Sequence, residues 1–387
     1  MQVADLFCGC GGLSSGFQAA GHEIIFAADT WSRARLAYDG NFDHASHRLD
    51  LSDVIEAAHT VSQKAPEIII GGPPCQDFSV AGLRTEAANA DLTVAFAEIV
   101  RTCRPMWFVM ENVPAAASSK AWAIARRRFS NTGYGLTELT LDASRYGVPQ
   151  LRKRVFMIGR MGDEDGFLDV DILLRETDDA LTVRDYLGDE LGVEFYYRHP
   201  RHWDRRAIYS IDEPAATVRS TNRPIPPKYK SHPLDRAPIE GIKPLSCHQR
   251  ARLQTFRRDF TFDESLAAWE VDMMVANAVP VGLAEVLAEC IMDYEVMLET
   301  SSENVFRTWL RETQSYTDRS AGNVVSRLNR VRKLIGPISR YNHTVDVVHA
   351  LEKTTEFPAF STSVKSQLKR AIHLHSEFIG RSETSRV

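Results

Sequence analysis

The sequence predicts an α/β fold: a doubly wound, mostly parallel sheet with a smaller second domain and a helical C-terminal extension. Three features of the 387-residue chain carry that expectation. Short apolar runs alternate with helix-like segments over residues 1 to about 160, the pattern of parallel strands joined by crossover helices. A glycine-rich turn follows the first of these runs directly. Beyond about residue 300 the chain becomes polar, with apolar residues stepping three or four apart, as on amphipathic helices.

In chain order, Val3–Phe7 is the first expected strand and begins close to the initiator methionine. Leu13 to Ala20 follows as a helix, then Ile24–Ala28 as a strand, and a further strand is expected to end at Asp50. Ile68-Ile69-Ile70 is a β-branched run suited to a buried parallel strand. Leu92, Ala95, Phe96, Ile99 and Val100 share one helical stripe. Phe108–Met110 and Val155–Ile158 complete the strands expected in domain 1–160. Over 161–245 the pattern breaks, first acidic (Asp163, Glu164, Asp165), then basic and proline-rich, which suggests a smaller, loop-rich domain. Residues 246–297 regain helical character and are expected to return to the first domain. Residues 298–387 form the extension, with one stripe of Val324, Leu328, Val331 and Leu334 ending at Gly336-Pro337. A second stripe, Val364, Leu368 and Ile372, follows a Ser/Thr cluster suited to capping.

Composition narrows the function classes. At 44% hydrophobic and 25% charged, the chain resembles an ordinary globular protein. No apolar run suggests a membrane span and no signal peptide precedes the first strand, so a cytoplasmic protein without a membrane partner is expected. Six cysteines (8, 10, 75, 103, 247, 290) form no CxxC pair and no His/Cys cluster at zinc spacing. Neither a disulfide framework nor a metal is expected. Cys8 and Cys10 flank glycines in a loop and are placed to line a pocket. Net charge is −5, yet Arg198 to Arg258 holds fourteen Lys/Arg against five Asp/Glu, with His199, Trp203, Tyr229, His232 and His248 interleaved. Such a stretch suits a phosphate-facing surface, a solvated face being the alternative.

Residues 71–79, Gly-Gly-Pro-Pro-Cys-Gln-Asp-Phe-Ser, place Cys75 on a stiff turn directly after a strand. Glycines allow the sharp turn, and prolines fix φ and stop both helix and sheet. The carboxyl ends of strands are where open α/β sheets build their sites. Asp5-Leu6-Phe7-Cys8-Gly9-Cys10-Gly11-Gly12 leads from strand to helix and fits a nucleotide-type cofactor or a tight turn. Asp29, after the second strand, stands where an acid grips a ribose, and Asp50 follows. Glu111, at the end of an apolar strand, is a charge that needs a partner or a task. Gln150, Arg152 and Arg154 share one face if extended, forming either a surface cluster or an anion- or base-recognising wall.

In this order DLFCGCGG, PPCQDFS, ENV and QLRKR resemble the motif series of S-adenosylmethionine-dependent DNA (cytosine-5)-methyltransferases. Ala216-Thr217-Val218-Arg219, Arg250 to Phe256 and Asn277-Ala278-Val279-Pro280 resemble its later motifs, so the likeness spans about residues 1–290. It implies a Rossmann-like class I methyltransferase domain, with 161–245 as a target-recognition domain. It also implies Cys75 as nucleophile, with Glu111, Arg154 and nearby Arg152 acting on the base. The cofactor residues it implies are Phe7, Gly9, Gly11, Gly12, Asp29, Asp50, Leu51, Pro74, Leu92 and Asn277. Gln76, Ser79, Gln150, Thr217 and Arg219 fall to the DNA substrate. Trp31 stands one position later than the tryptophan that often follows the ribose acid, and Met274 and Ala276 replace the usual glutamine and glycine before the late asparagine. The resemblance further implies double-stranded DNA as partner and a modification role beside a cognate restriction endonuclease, without a stable complex. Transfer-RNA cytosine methyltransferases share these motifs and are the runner-up. A catalytically silent DNA-binding relative and a nicotinamide-dependent dehydrogenase are the readings from other classes.

Overall fold

The computed structural model describes residues 1–74, 88–202, 204–336, 338, 341 and 343–384. They divide into two compact units, Met1–Ile291 and Met292–Val387. Seven strands come from the N-terminal part of the first unit: β1 (Gln2–Leu6), β2 (Glu23–Ala28), β3 (Ile68–Gly71), β4 (Trp107–Asn112), β5 (Tyr134–Asp142), β6 (Gln150–Leu151) and β7 (Lys153–Met161). All but β6 join one sheet in the order β2-β1-β3-β4-β7-β5, parallel from β2 to β4 and antiparallel where β7 meets β4 and β5. The crossover segments are α1 (Gly12–Ala19), α2 (Ser32–Asp39), α3 (Val54–Ser62), α4 (Ala88–Cys103) and α5 (Lys120–Thr132).

Strand residues on both sheet faces are fully buried, Ala4, Ile69 and Phe108 on one and Val3, Ile70 and Val109 on the other. That is why these strands read as unbroken apolar runs in the sequence. On the first face, Val61 of α3, Phe96 of α4 and Phe129 of α5 share a core with Ala4, Ile69 and Phe108, and the Phe108 and Phe129 rings stack at 3.9 Å.

Two expectations are corrected here. No strand ends at Asp50; the segment makes only an isolated bridge, His47 to Ala28. Tyr134–Asp142, not anticipated, is a full strand against β7. Its leucines, Leu136, Leu139 and Leu141, do not keep a two-residue step, and the available signal was its content of Tyr134, Thr137 and Thr140.

The chain continues through α6 (Asp169–Leu173), α7 (Val183–Leu187), β8 (Phe195–Tyr197), β9 (Ile208–Ser210), β10 (Ala215–Ala216), α8 (Cys247–Leu253), α9 (Ala268–Asn277) and α10 (Val281–Glu312). β8 pairs with β9, and β10 runs parallel to β6. Leu187, Tyr196, Tyr209 and Val218 share one apolar cluster with Leu253, Phe256 and Val275. A buried ion pair, Arg250 with Asp272, joins α8 to α9, and Arg33 reaches Glu270 at 3.0 Å to tie α2 to α9. By length and composition Ala268–Glu312 contains an apolar window long enough for a membrane span, contrary to the expectation from apolar runs alone. However, 67% of that window is buried within the fold, as in a core helix.

The second unit is helical, as expected. It takes the end of α10 with α11 (Asp318–Ile335), α12 (Thr344–Glu352) and α13 (Thr362–Thr384). The apolar stripes of the sequence supply its core: Val324 and Leu328 are buried with Phe306 and Leu310, and Val331, Leu368 and Ile372 with Leu351 and Phe357.

Within the first unit, α1 packs closely on the start of α10. A Cβ at Gly16 would lie 2.5 Å from Ala284 Cβ and 2.6 Å from the Val281 carbonyl oxygen. We therefore expect Gly16→Ala to destabilise the protein by about 1–3 kcal/mol through overpacking. A lower urea midpoint checks this, and an unchanged midpoint would show that α1 yields freely.

Candidate active site

Four chain segments leave the sheet along one edge and enclose a cavity of about 430 Å³. They follow the carboxyl ends of β1 (Phe7 to Leu13), β2 (Asp29 to Trp31), β3 (Gly72 to Pro74) and β4 (Val113). Of the residues singled out in the sequence, Phe7, Gly9, Gly12, Asp29, Asp50, Leu51, Pro74, Leu92, Glu111, Arg154 and Asn277 line it. Cys8 and Cys10 also line it, and burial pushes both thiols above their ordinary range, Cys10 to about 12. Cys75, Gln76 and Ser79 lie outside the described residues. Pro74 is covalently bonded to Cys75 and belongs to the cavity wall.

At one end of the cavity the chain turns sharply out of β1. Phe7, Gly9 and Gly11 all take positive φ, at 62°, 54° and 95°. For Phe7 this costs on the order of 1–3 kcal/mol, and such strain clusters at ligand sites. Gly12 is required by contact: its Cβ would stand 2.4 Å from the Val279 carbonyl oxygen. Gly11 is not part of the lining. It lies against the Phe42 ring, 2.5 Å from where its Cβ would be. Asp29 ties this loop to β2, accepting hydrogen bonds from the N–H of Gly9 (2.9 Å) and of Trp31 (2.8 Å). Asp50 accepts from the N–H and hydroxyl of Ser52 at 2.9 and 2.6 Å, which hold its carboxyl below the usual range.

The other end is built around Glu111. Its carboxylate accepts from Arg154 Nε at 2.8 Å, with both side chains largely buried. Burial pushes the Glu111 carboxyl upward, opposed by the charges of Arg154 and Arg152. Gly72 leaves room for it, since a Cβ there would sit 2.9 Å from Glu111 Oε2. Asn112 fastens the proline turn by donating to the Pro73 carbonyl at 3.1 Å.

Gln150, Arg152 and Arg154 do point inward in alternation. Of the three only Arg154 lines the cavity; Gln150, expected at the DNA substrate, and Arg152, expected near the base, lie behind its wall. Gln150 donates to the Leu253 carbonyl (3.1 Å) and Gln254 Oε1 (2.9 Å) and accepts from Val218 N–H (2.8 Å). Arg152 donates to the carbonyls of Val218, Ala276 and Ala278 at 3.2, 2.6 and 3.1 Å. Both therefore clamp the backbone behind the wall. Thr217 likewise donates to the Leu151 carbonyl at 2.6 Å. Arg219 donates to the His199 carbonyl and lines a separate small cavity with Arg198, His199 and Asn222.

Sequence reasoning missed Asp5, which lines the main cavity. It is fully buried in β1 and accepts from Ser14 Oγ at 2.6 Å, and burial pushes its carboxyl up to about 7. An acid inside an apolar strand was the signal. The described lining thus holds four carboxyl groups, Asp5, Asp29, Asp50 and Glu111, with Arg154 as the single Lys or Arg. That charge balance suits a cationic ligand and disfavours a pyrophosphate. Among the described residues, no group of three or more His, Cys, Asp or Glu side chains is placed to hold a metal ion.

The model of the C-5 cytosine-specific DNA methylase family matches residues 1–293. The type II methyltransferase M.HindV of Haemophilus influenzae is 45% identical over 298 residues, covering 76% of this chain and 97% of that protein. M.HgiDI of Herpetosiphon aurantiacus, also named a type II methyltransferase, is 46% identical over 295 residues, covering 76% and 95%. Among solved structures, the Dnmt2 methyltransferase of S. pombe superposes with a TM-score of 0.59 at 16% identity, over 76% of this chain and 98% of that one. A putative prophage-encoded DNA modification methyltransferase from E. coli gives 0.55 at 22% identity, over 76% and 99%.

Asp5 generates a pH prediction. Its folded-state pKa lies above the ordinary 3.8, so the stability it contributes is complete below about pH 4 and is lost as pH rises through about 7. Urea midpoints measured from pH 4.5 to 7.5 should fall more steeply in the wild type than in Asp5→Asn, by an amount worth a few kcal/mol. Parallel profiles would show that Asp5 titrates normally.

Proposed function

The chain belongs to the C-5 cytosine-specific DNA methylase family, and from that premise we propose how it works. It transfers a methyl group from S-adenosylmethionine to carbon 5 of a flipped-out cytosine within a specific sequence of double-stranded DNA. The step passes through a covalent bond between Cys75 and carbon 6, and the biological role is modification that protects DNA from restriction. The observation that carries this reading is the buried Glu111–Arg154 pair, in the wall of the same cavity as Pro74, the residue bonded to Cys75.

Carbon 5 of cytosine is a weak nucleophile while the ring is aromatic. The Cys75 thiolate adds to carbon 6 and makes carbon 5 enamine-like. Glu111, which burial biases toward its protonated form, holds or protonates ring nitrogen 3 and so favours that attack. Arg154 orients Glu111 through Nε and donates to the Lys153 carbonyl through Nη1 at 2.8 Å, and a further N–H of its guanidinium serves the 2-keto oxygen. After methyl transfer the carbon-5 proton leaves to a base, water being one option. The C6–S bond then breaks and the thiolate is restored. Carbon 5 is inaccessible to such a site within a duplex, so the base is extruded.

The acidic cavity suits a donor that carries a sulfonium and an ammonium group. When bound, S-adenosylmethionine supplies the electrophilic methyl. Asp29 is assigned to the ribose hydroxyls, Asp50 to the adenine amino group and Phe7 to the adenine face. Gly9 and Gly12 border the methionine part, with Gly11 supporting the loop from behind. Leu51, Pro74, Leu92 and Asn277 complete the wall. The same charge balance counts against a dehydrogenase, whose dinucleotide brings a pyrophosphate. Sequence reading is assigned to residues 161–245 and the basic stretch 198–258 that overlaps them, where Thr217 and Arg219 lie, with Gln76 and Ser79 flanking the flipped base.

Cys75→Ser should abolish methyl transfer while leaving DNA and cofactor binding in place; full activity in this variant would sink the covalent mechanism. Glu111→Gln should lower kcat by roughly 10²–10⁴ while retaining cofactor affinity. A duplex carrying 5-fluorocytosine in the recognition site should trap a stable adduct, because fluorine does not leave as a proton does. Bisulfite sequencing of host DNA and transfer RNA after expression separates the DNA reading from its runner-up: methylated transfer RNA with unmethylated DNA would overturn the former.

A further inference from the structure

Residues 294–387 lie beyond the match to the methylase family, so the family's chemistry gives no account of them. They belong to a unit with its own apolar core. Residues 303–387 carry fourteen Lys/Arg against eight Asp/Glu, within a chain of net charge −5.

The ion pairs in this unit leave its positive charge unevenly spread. Glu303 pairs with Arg332 at 2.6 Å, Glu352 pairs with Lys369, and Asp318 takes Arg307 (2.7 Å) and Arg311 (3.6 Å). Asp318 is also the only acid on α11. One face of α11 is spent on the core through Ala321, Val324, Leu328 and Val331. The outward side presents Arg319, Asn323, Ser326, Arg330 and Lys333, all exposed. At 100° per residue these five lie within an arc of about 80° and run about 21 Å along the helix. No described acid pairs with the three cations. Arg330 stacks on the Phe360 ring, its guanidinium carbon 4.4 Å from the ring centre, which fixes its position without neutralising it.

We propose that this face of α11 grips the phosphate backbone of duplex DNA, giving the enzyme a second, sequence-independent hold in addition to that of its catalytic unit. Charge selects the occupant: three uncompensated cations with interleaved Asn and Ser are the side chains that contact phosphates. A run of 21 Å is about six base-pair steps of duplex. The inference rests on DNA being the substrate, but it requires nothing of Cys75.

The test uses the full-length protein with Arg319→Glu, Arg330→Glu and Lys333→Glu combined, and a random-sequence 30-base-pair duplex followed by fluorescence anisotropy across a salt titration. Each phosphate contact contributes about 0.9 to the salt slope. The triple variant should therefore lose about 2–3 units of slope and roughly tenfold to a hundredfold in affinity near 100 mM salt. On genomic DNA, KM should rise while kcat at saturating DNA is kept. Arg319→Lys with Arg330→Lys should bind as the wild type does, since a point charge suffices. Wild-type affinity and slope in the charge-reversed protein, with unchanged circular dichroism, would overturn the proposal. So would a change confined to oligomeric state in sedimentation, which would make the face an interface between copies. Measured again in a Cys75→Ser background, the slope separates this proposal from the catalytic one. An inactive protein that keeps its salt slope leaves the DNA grip standing, and an active one that lacks it leaves only the chemistry.

Discussion

A carboxylate buried at the end of a β-strand must be compensated, and compensating Glu111 shapes much of the surrounding structure. Taking a charge out of water costs several kcal/mol unless geometry and hydrogen bonds answer it. The answer here is Arg154 at 2.8 Å, delivered by the neighbouring strand β7. Room for the pair requires Gly72 to lack a side chain, and the turn bearing Gly72 is fastened in turn by Asn112. Behind Arg154, Arg152 holds three carbonyls from two distant segments, so the basic strand is anchored before it reaches the cavity. The interaction is local, but its supports reach from residue 72 to residue 278.

The opposite end of the cavity obeys a different constraint. There, backbone conformation is strained and carboxyl groups collect without matching cations. Phe7 at φ 62° is held by its neighbours downstream in the chain, with Gly9 bonded to Asp29 and Gly12 pressed to the Val279 carbonyl. Asp5 stays buried because Ser14 donates to it and because near neutrality it is only partly charged. A bound cation would relieve the repulsion among these acids, so the proposed donor fits this end electrostatically as well as by shape.

Much of this was legible in the sequence, for reasons that can be named. Strands buried on both faces give unbroken apolar runs whatever their direction, and β1, β2, β3, β4 and β7 show themselves that way. β5 was missed because Leu136, Leu139 and Leu141 neither form an unbroken apolar run nor keep a two-residue step, and the segment ending at Asp50 was over-read because an extended loop can resemble a strand. The Gln150-Arg152-Arg154 alternation was visible, but pleat geometry gives only direction. What each side chain meets depends on Val218, Ala276 and Ala278, more than sixty residues away in the chain. Asp5 escaped notice because a motif search weighs its glycines before the acid that precedes them.

The reversed direction of β7 has a consequence for how such a site is written into a gene. Parallel strands deliver residues to the cavity from positions just after each strand, as with Phe7, Asp29 and Pro74. A strand running the other way delivers them from its beginning, and Arg154 stands at the start of β7. Insertions after β7 therefore lengthen the molecule on the side away from the reacting groups, while insertions before it would displace Arg154 from Glu111. Chain polarity thus makes the segment after β7 the freer place for the gene to grow, and the one before it a place held to length.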